Sequence, residues 1–118
     1  MPDKLQVRRH PQLARDLKQL GKRFPSVERD LVYAERLLAA GQSLPQTDAL
    51  QGFGERRLFK TRVVNTSIQR GKSAGYRLVY EIVVEEDDDG FLLLLLYDHK
   101  TLRTEEEVRK EFRTRLES

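Results

Sequence analysis

Tyr76-Arg-Leu-Val-Tyr-Glu-Ile-Val-Val84, then Glu85-Glu-Asp-Asp-Asp-Gly90, then Phe91-Leu-Leu-Leu-Leu-Leu-Tyr97 is the stretch that decides the fold. The first segment alternates as a strand does, with Tyr76, Leu78, Tyr80, Ile82 and Val84 on one face and Arg77, Val79, Glu81 and Val83 on the other. The first set is the expected core face. The last segment is apolar on both faces, as a central strand covered on two sides must be. The acidic segment between them ends in Asp-Gly and predicts a polar hairpin turn.

Upstream, Arg57-Leu-Phe-Lys-Thr-Arg-Val-Val64 predicts another strand, with Phe59, Thr61 and Val63 on one face and Leu58, Lys60 and Arg62 on the other. Residues 42–54 hold Pro45, Gly52 and Gly54 without a clear period and read as a connecting loop. Before them, Leu13, Leu17, Leu20 and Phe24 recur at helical spacing behind Pro11, which suits a first turn. Pro25 breaks that helix. Ser26 is the expected N-cap of a second, whose face is Val27, Leu31, Ala34 and Leu38 and which Gly41 ends. Leu5 and Val7 alternate as a short first strand. Downstream, Thr104-Glu-Glu-Glu107 has the capping-box pattern and opens a helix with Val108, Phe112 and Leu116 on one stripe. The order strand, two helices, three strands, helix predicts an α+β domain spanning residues 1–118: a small antiparallel-rich sheet packed by an N-terminal helical hairpin, with a C-terminal helix.

The 118 residues suffice for one domain with a core of its own. There is no cysteine, which excludes disulfides, Fe–S clusters and thiolate zinc sites; two histidines, His10 and His99, make a poor metal set, so no metal and no cofactor are expected. Met1-Pro-Asp-Lys-Leu5 carries charge where a secretory leader needs an apolar stretch, and the apolar run Phe91 to Tyr97 is too short to span a bilayer. The expectation is a cytoplasmic protein with no membrane partner.

Net charge is +3, but its distribution is uneven: +4 over residues 1–30, +6 over 55–80 and −7 over 81–98. Seven basic residues against one acid in 55–80 suit a phosphate-backbone binder and, equally, a solvated strand face. Lys60 and Arg62 on one strand, Arg77 on the next, and His99 and Lys100 at the end of a third converge on one sheet face if these strands are neighbours. Convergent cations on a rigid sheet make a phosphate clamp, and a guanidinium can grip a phosphate bidentately. Gly71-Lys-Ser-Ala-Gly75 lacks Walker spacing, so it is not a nucleoside-triphosphate loop. Metal-free RNA cleavage needs a base for the ribose 2′-hydroxyl, cations for charge developing at phosphorus, and an acid for the leaving 5′-oxygen. Lys60 is the candidate base if crowding by Arg62 and Arg77 disfavours its protonated form. His99 is a candidate acid near neutral pH. Glu81 is expected to be structural, paired with a cation.

Gly71-Lys-Ser-Ala-Gly-Tyr-Arg-Leu-Val-Tyr80 resembles the Gly-Lys-Ser-Gly-Gly-Tyr-Arg-Val-Ile-Tyr stretch of RelE/HigB-type toxins of bacterial type II toxin–antitoxin systems, in the RelE/ParE superfamily. The likeness extends to the Leu58-x-Lys60-x-Arg62 strand, the apolar strand ending at Tyr97 to Lys100, and the Lys22-Arg-Phe-Pro25 turn of the hairpin. It implies a RelE-like fold and a hydrolase that inhibits translation: an mRNA interferase, or ribosome-dependent endoribonuclease, working without metal. Its implied partners are mRNA, the ribosome with its rRNA, and a cognate antitoxin protein, in a higher-order toxin–antitoxin complex. By position the resemblance gives Arg77 the scissile phosphate, Lys60 the role of general base, Arg62 that of phosphate ligand, and His99, then Lys100, that of general acid. Arg57, Arg70, Lys72 and Tyr97 are the further RNA-binding candidates. Some members place a tyrosine in or just before the last helix to stack on a base. This chain has none after Tyr97, so Tyr97 or Phe112 replaces it or stacking is weaker. Two alternatives on the same fold are a ParE-like poison of DNA gyrase, a branch that generally lacks the basic set, and a non-catalytic regulatory binding module.

Overall fold

In a computed structural model, residues 5–68, 75–84, 89–102 and 104–117 are described. The chain runs β1 (Gln6–Arg9), α1 (Leu13–Gly21), α2 (Val27–Ala39), β2 (Asp48–Leu50), β3 (Arg57–Val63), β4 (Tyr76–Val84), β5 (Asp89–Tyr97) and α3 (Glu105–Leu116). The leucine run of β5 is buried on both faces because the strand is flanked in the sheet by β1 and β4 and covered above and below by helices. Sheet order is β1-β5-β4-β3-β2, with β1 parallel to β5 and every other pair antiparallel. This is the expected α+β, antiparallel-rich architecture.

Two cores sandwich the sheet. On one face the α1–α2 hairpin lays Leu13, Leu20, Leu31, Ala34 and Leu38 onto Val63, Tyr76, Leu78, Tyr80, Leu93 and Leu96. On the other, α3 packs Val108 and Phe112 onto Leu58, Val79, Leu94, Leu95 and Tyr97. Val79, on the face of β4 opposite the one expected to be core, is therefore just as buried.

Several local expectations change. A three-residue edge strand, β2, lies within the segment read as loop; Ala49 and Leu50 face Phe59 and Leu58 across the ladder. Asp89 and Gly90 belong to β5 and not to the turn, since Gly90 must let β1 approach: a Cβ there would lie 2.3 Å from the Gln6 carbonyl oxygen. The other residues of the expected turn, 85–88, lie outside the described set. Pro11 stands in the turn before α1, and Phe24 packs on the core just beyond it. Ser26 holds the N-cap position of α2, but its Oγ donates to Asp30 Oδ2 at 2.7 Å instead of capping the helix. Thr104 does cap α3, accepting from the Glu107 N–H at 3.1 Å.

A β-bulge matters most for function. The β4–β5 register shifts between Val79 and Tyr80, so Val79 pairs with Leu95 while Tyr80 pairs with Leu93. Leu94 and Leu95 then both join the α3-side core, and alternation beyond them is reversed. Tyr97 consequently points to the same side as Val79.

Candidate nucleic-acid interface

Register assembles the basic residues. Arg62 pairs directly with Arg77 across β3–β4, and Arg77 pairs with Tyr97 across β4–β5. The three side chains form a lateral row over three strands, with Cβ atoms about 5 Å apart from one to the next. Lys60 lies one step along β3 on the same face, opposite Val79. The expected convergence of Lys60, Arg62 and Arg77 is thus present in the fold.

Two like charges opposite each other are unfavourable, and the ladder imposes them here. Burial, with Arg62 alongside, holds the Arg77 guanidinium below its ordinary value, partly offset by Tyr97 and Asp98. Its Nη1 donates to the Gly75 carbonyl at 3.3 Å, and no carboxylate among the described residues pairs with it. Five N–H donors on a guanidinium leave several for a ligand. Gly75 has a steric reason of its own. A Cβ at that position would sit 2.6 Å from the Val63 carbonyl oxygen, so glycine lets β4 begin tight against the end of β3 and places Arg77 two residues on.

Lys60 has a further neighbour besides these cations. Its Nζ lies 3.4 Å from Glu105 Oε2, on the first residue of α3. Sequence reasoning did not single out Glu105; the only signal was that the capping box is acidic and follows β5 closely.

His99 and Lys100 are exposed in the turn after β5. Asp98 braces that turn, accepting from the Thr101 N–H and hydroxyl and holding Arg23 through both carboxylate oxygens at 3.0 and 2.9 Å. Burial works against its charge, yet Arg23 and Thr101 prevail and keep the carboxyl below the ordinary carboxylate range. The turn is fixed to the end of the helical hairpin and starts one residue beyond Tyr97, at the row's end of the sheet.

Tyr97 lacks the exposed face of a stacking platform. It is only 5 % exposed and Phe112 is fully buried, so neither ring offers a face to a base. Burial pushes the Tyr97 phenol up to about 12, with Arg77 and Glu105 acting in opposite senses. At neutral pH it is a hydrogen-bond donor beside Arg77. Arg57 does not join the row: it stands at the other end of β3, opposite Ile82, about 17 Å from Arg62 along an extended chain. Arg70 and Lys72 lie outside the described residues. Glu81 is structural as expected, bound at both oxygens by Arg56 at 2.9 and 2.8 Å.

No helix among the described residues is long and apolar enough to cross a membrane. Comparisons with protein-family profiles, with curated proteins and with solved structures find no match to this chain.

Proposed function

We propose that this chain is a RelE-like toxin, a metal-free endoribonuclease that cuts mRNA on the ribosome and is neutralised by a cognate antitoxin. The observation that carries the reading is the Arg62–Arg77–Tyr97 row, in which two guanidiniums and a protonated phenol lie side by side on one rigid sheet face. A phosphate diester seated there would take charge-assisted hydrogen bonds from Arg77 and Arg62, and these strengthen as charge develops on the non-bridging oxygens. Their placement by a doubly covered sheet supports catalysis, because donors held by the fold need no reorganisation during reaction.

In this reading the ribose 2′-oxygen attacks phosphorus as its proton passes to a base, the P–O5′ bond breaks, and an acid protonates the departing 5′-oxygen. Lys60 adjoins the row as the base candidate; His99 and then Lys100, on the braced turn, are the acid candidates. The basic N-terminal third, with Arg15 and Lys18 exposed along α1 and Lys22 exposed just beyond it, suits contact with rRNA phosphates and predicts strong salt dependence.

The buried aromatic rings favour a second reading, in which base recognition is weak and the protein binds without cutting. Primer extension on an mRNA in a reconstituted translation reaction, with and without ribosomes, separates the two. Ribosome-dependent cuts that vanish in Arg77→Ala are expected, at a loss of at least about 100-fold for an electrostatic residue of this kind. Cleavage that survives in Arg77→Ala would sink the assignment. Absence of cuts by wild type, with cleaved DNA accumulating in a gyrase supercoiling assay, would replace it with gyrase poisoning.

A further inference from the structure

We infer that Glu105 is a displaceable cover on Lys60 beside the cationic row: its carboxylate holds that lysine until a ligand phosphate takes its place. The inference rests on the reading that this row receives RNA phosphates, and it adds how access to them is regulated.

The contact has the properties of an exchangeable one. At 3.4 Å, with the lysine side chain 27 % and the glutamate 59 % exposed, it is a partly solvated ion pair of small net worth. Glu105 stands in the first helical turn of α3, where the macrodipole favours an anion. The position of α3 does not depend on the pair. At its far end the Arg115 guanidinium binds both oxygens of Asp16 on α1, at 2.5 and 2.7 Å, and donates to the Leu94 carbonyl at 2.9 Å. Val108 and Phe112 are buried between the two ends. The helix is anchored by its middle and its C-terminal turn, while the residue that touches Lys60 is at its exposed N-terminal end.

Glu105 also differs from its acidic neighbours. Glu107 is engaged with the Thr104 hydroxyl in the cap, and Glu106 is exposed with no contact to the row among the described residues. The nearby Asp98 is committed to Arg23 and Thr101. Glu105 is therefore the carboxylate that a phosphate must displace to reach Lys60. Displacement exchanges one anion for another at Lys60, so that lysine releases no salt counterion when wild type binds RNA.

The test is fluorescence-anisotropy titration of a labelled single-stranded RNA with the full chain across a salt series. Glu105→Gln is expected to tighten binding about threefold at low salt, the scale of an exposed pair. It should also steepen the slope of log affinity against log salt by about 0.7, the release of one further ion from a single strand. Glu106→Gln, the same charge change one residue away, should change neither by as much, and in a Lys60→Met background Glu105→Gln should lose its effect. Arg77→Ala is measured alongside. If it weakens binding while Glu105→Gln behaves like wild type or like Glu106→Gln, the cover is refuted and the RNA site stands. If Arg77→Ala binds like wild type, the RNA site is refuted and the cover falls with it.

Discussion

Replacing Arg115 with methionine isolates the interaction that fixes α3 to the body of the protein. The guanidinium is 3 % exposed and its partner Asp16 is 9 % exposed, so the pair is almost fully withdrawn from water. Removing one member of a buried pair costs about 3–5 kcal/mol, chiefly because the other charge is stranded. Two features place this site near the lower end. Asp16 keeps the Leu96 N–H at 3.0 Å, and methionine retains the apolar stem of arginine. Against that, the Leu94 carbonyl loses its guanidinium donor and the Glu111 carboxylate its partner at 3.1 Å. A loss of about 3 kcal/mol follows, a large share of the roughly 5–15 kcal/mol of a domain this size. Urea denaturation should show it as a lowered midpoint at unchanged slope, and a thermal scan as a Tm drop of about 10 °C. Asp16→Asn closes the cycle: with the stranded charge removed, the double variant should be less destabilised than the sum of the singles by about 2 kcal/mol. A single-variant loss below about 1 kcal/mol would show that the latch does not hold the helix.

Other consequences are open to direct measurement. Tyr76 and Tyr97 are held neutral by burial up to about 12, against 10.0 for a free phenol, so their contribution is complete below pH 10 and falls away between 10 and 12 as the unfolded chain ionises first. Stability should decline there by up to about 1.4 kcal/mol per pH unit for each ring, and Tyr97→Phe should shallow the slope; equal slopes would contradict its burial. Asp98 has the opposite sign. Its depressed value lends stability above the ordinary 3.8 that is lost as pH falls through the folded value, so Asp98→Asn should flatten the acid limb and destabilise the protein near neutrality. Gly75→Ala forces a Cβ against the Val63 carbonyl, and a cost of about 1–3 kcal/mol should accompany weaker RNA binding because Arg77 moves with the strand; native-like stability and binding would show that the strands part without cost.

Local pattern carried much of this architecture. The alternation of Tyr76 to Val84, the apolar run of β5, the helical stripes at Leu13 and Val27 and the Thr104 capping box each depend on residues within a few positions of one another, so period and cap chemistry disclose them before any partner is known. The basic cluster was half legible in the same way, since Lys60 and Arg62 share a parity and Arg77 lies on a neighbouring strand. The three residues of β2 were too few to carry a period. The side to which Tyr97 points, by contrast, follows from a bulge, and a bulge is a property of the β4–β5 pairing and not of either strand alone. Lys60 meets Glu105 across 45 residues and Arg115 meets Asp16 across 99. Nothing in composition or spacing selects one carboxylate over another at such separations; packing α3 across the sheet makes the choice, and with it determines which cation is covered and which faces a ligand.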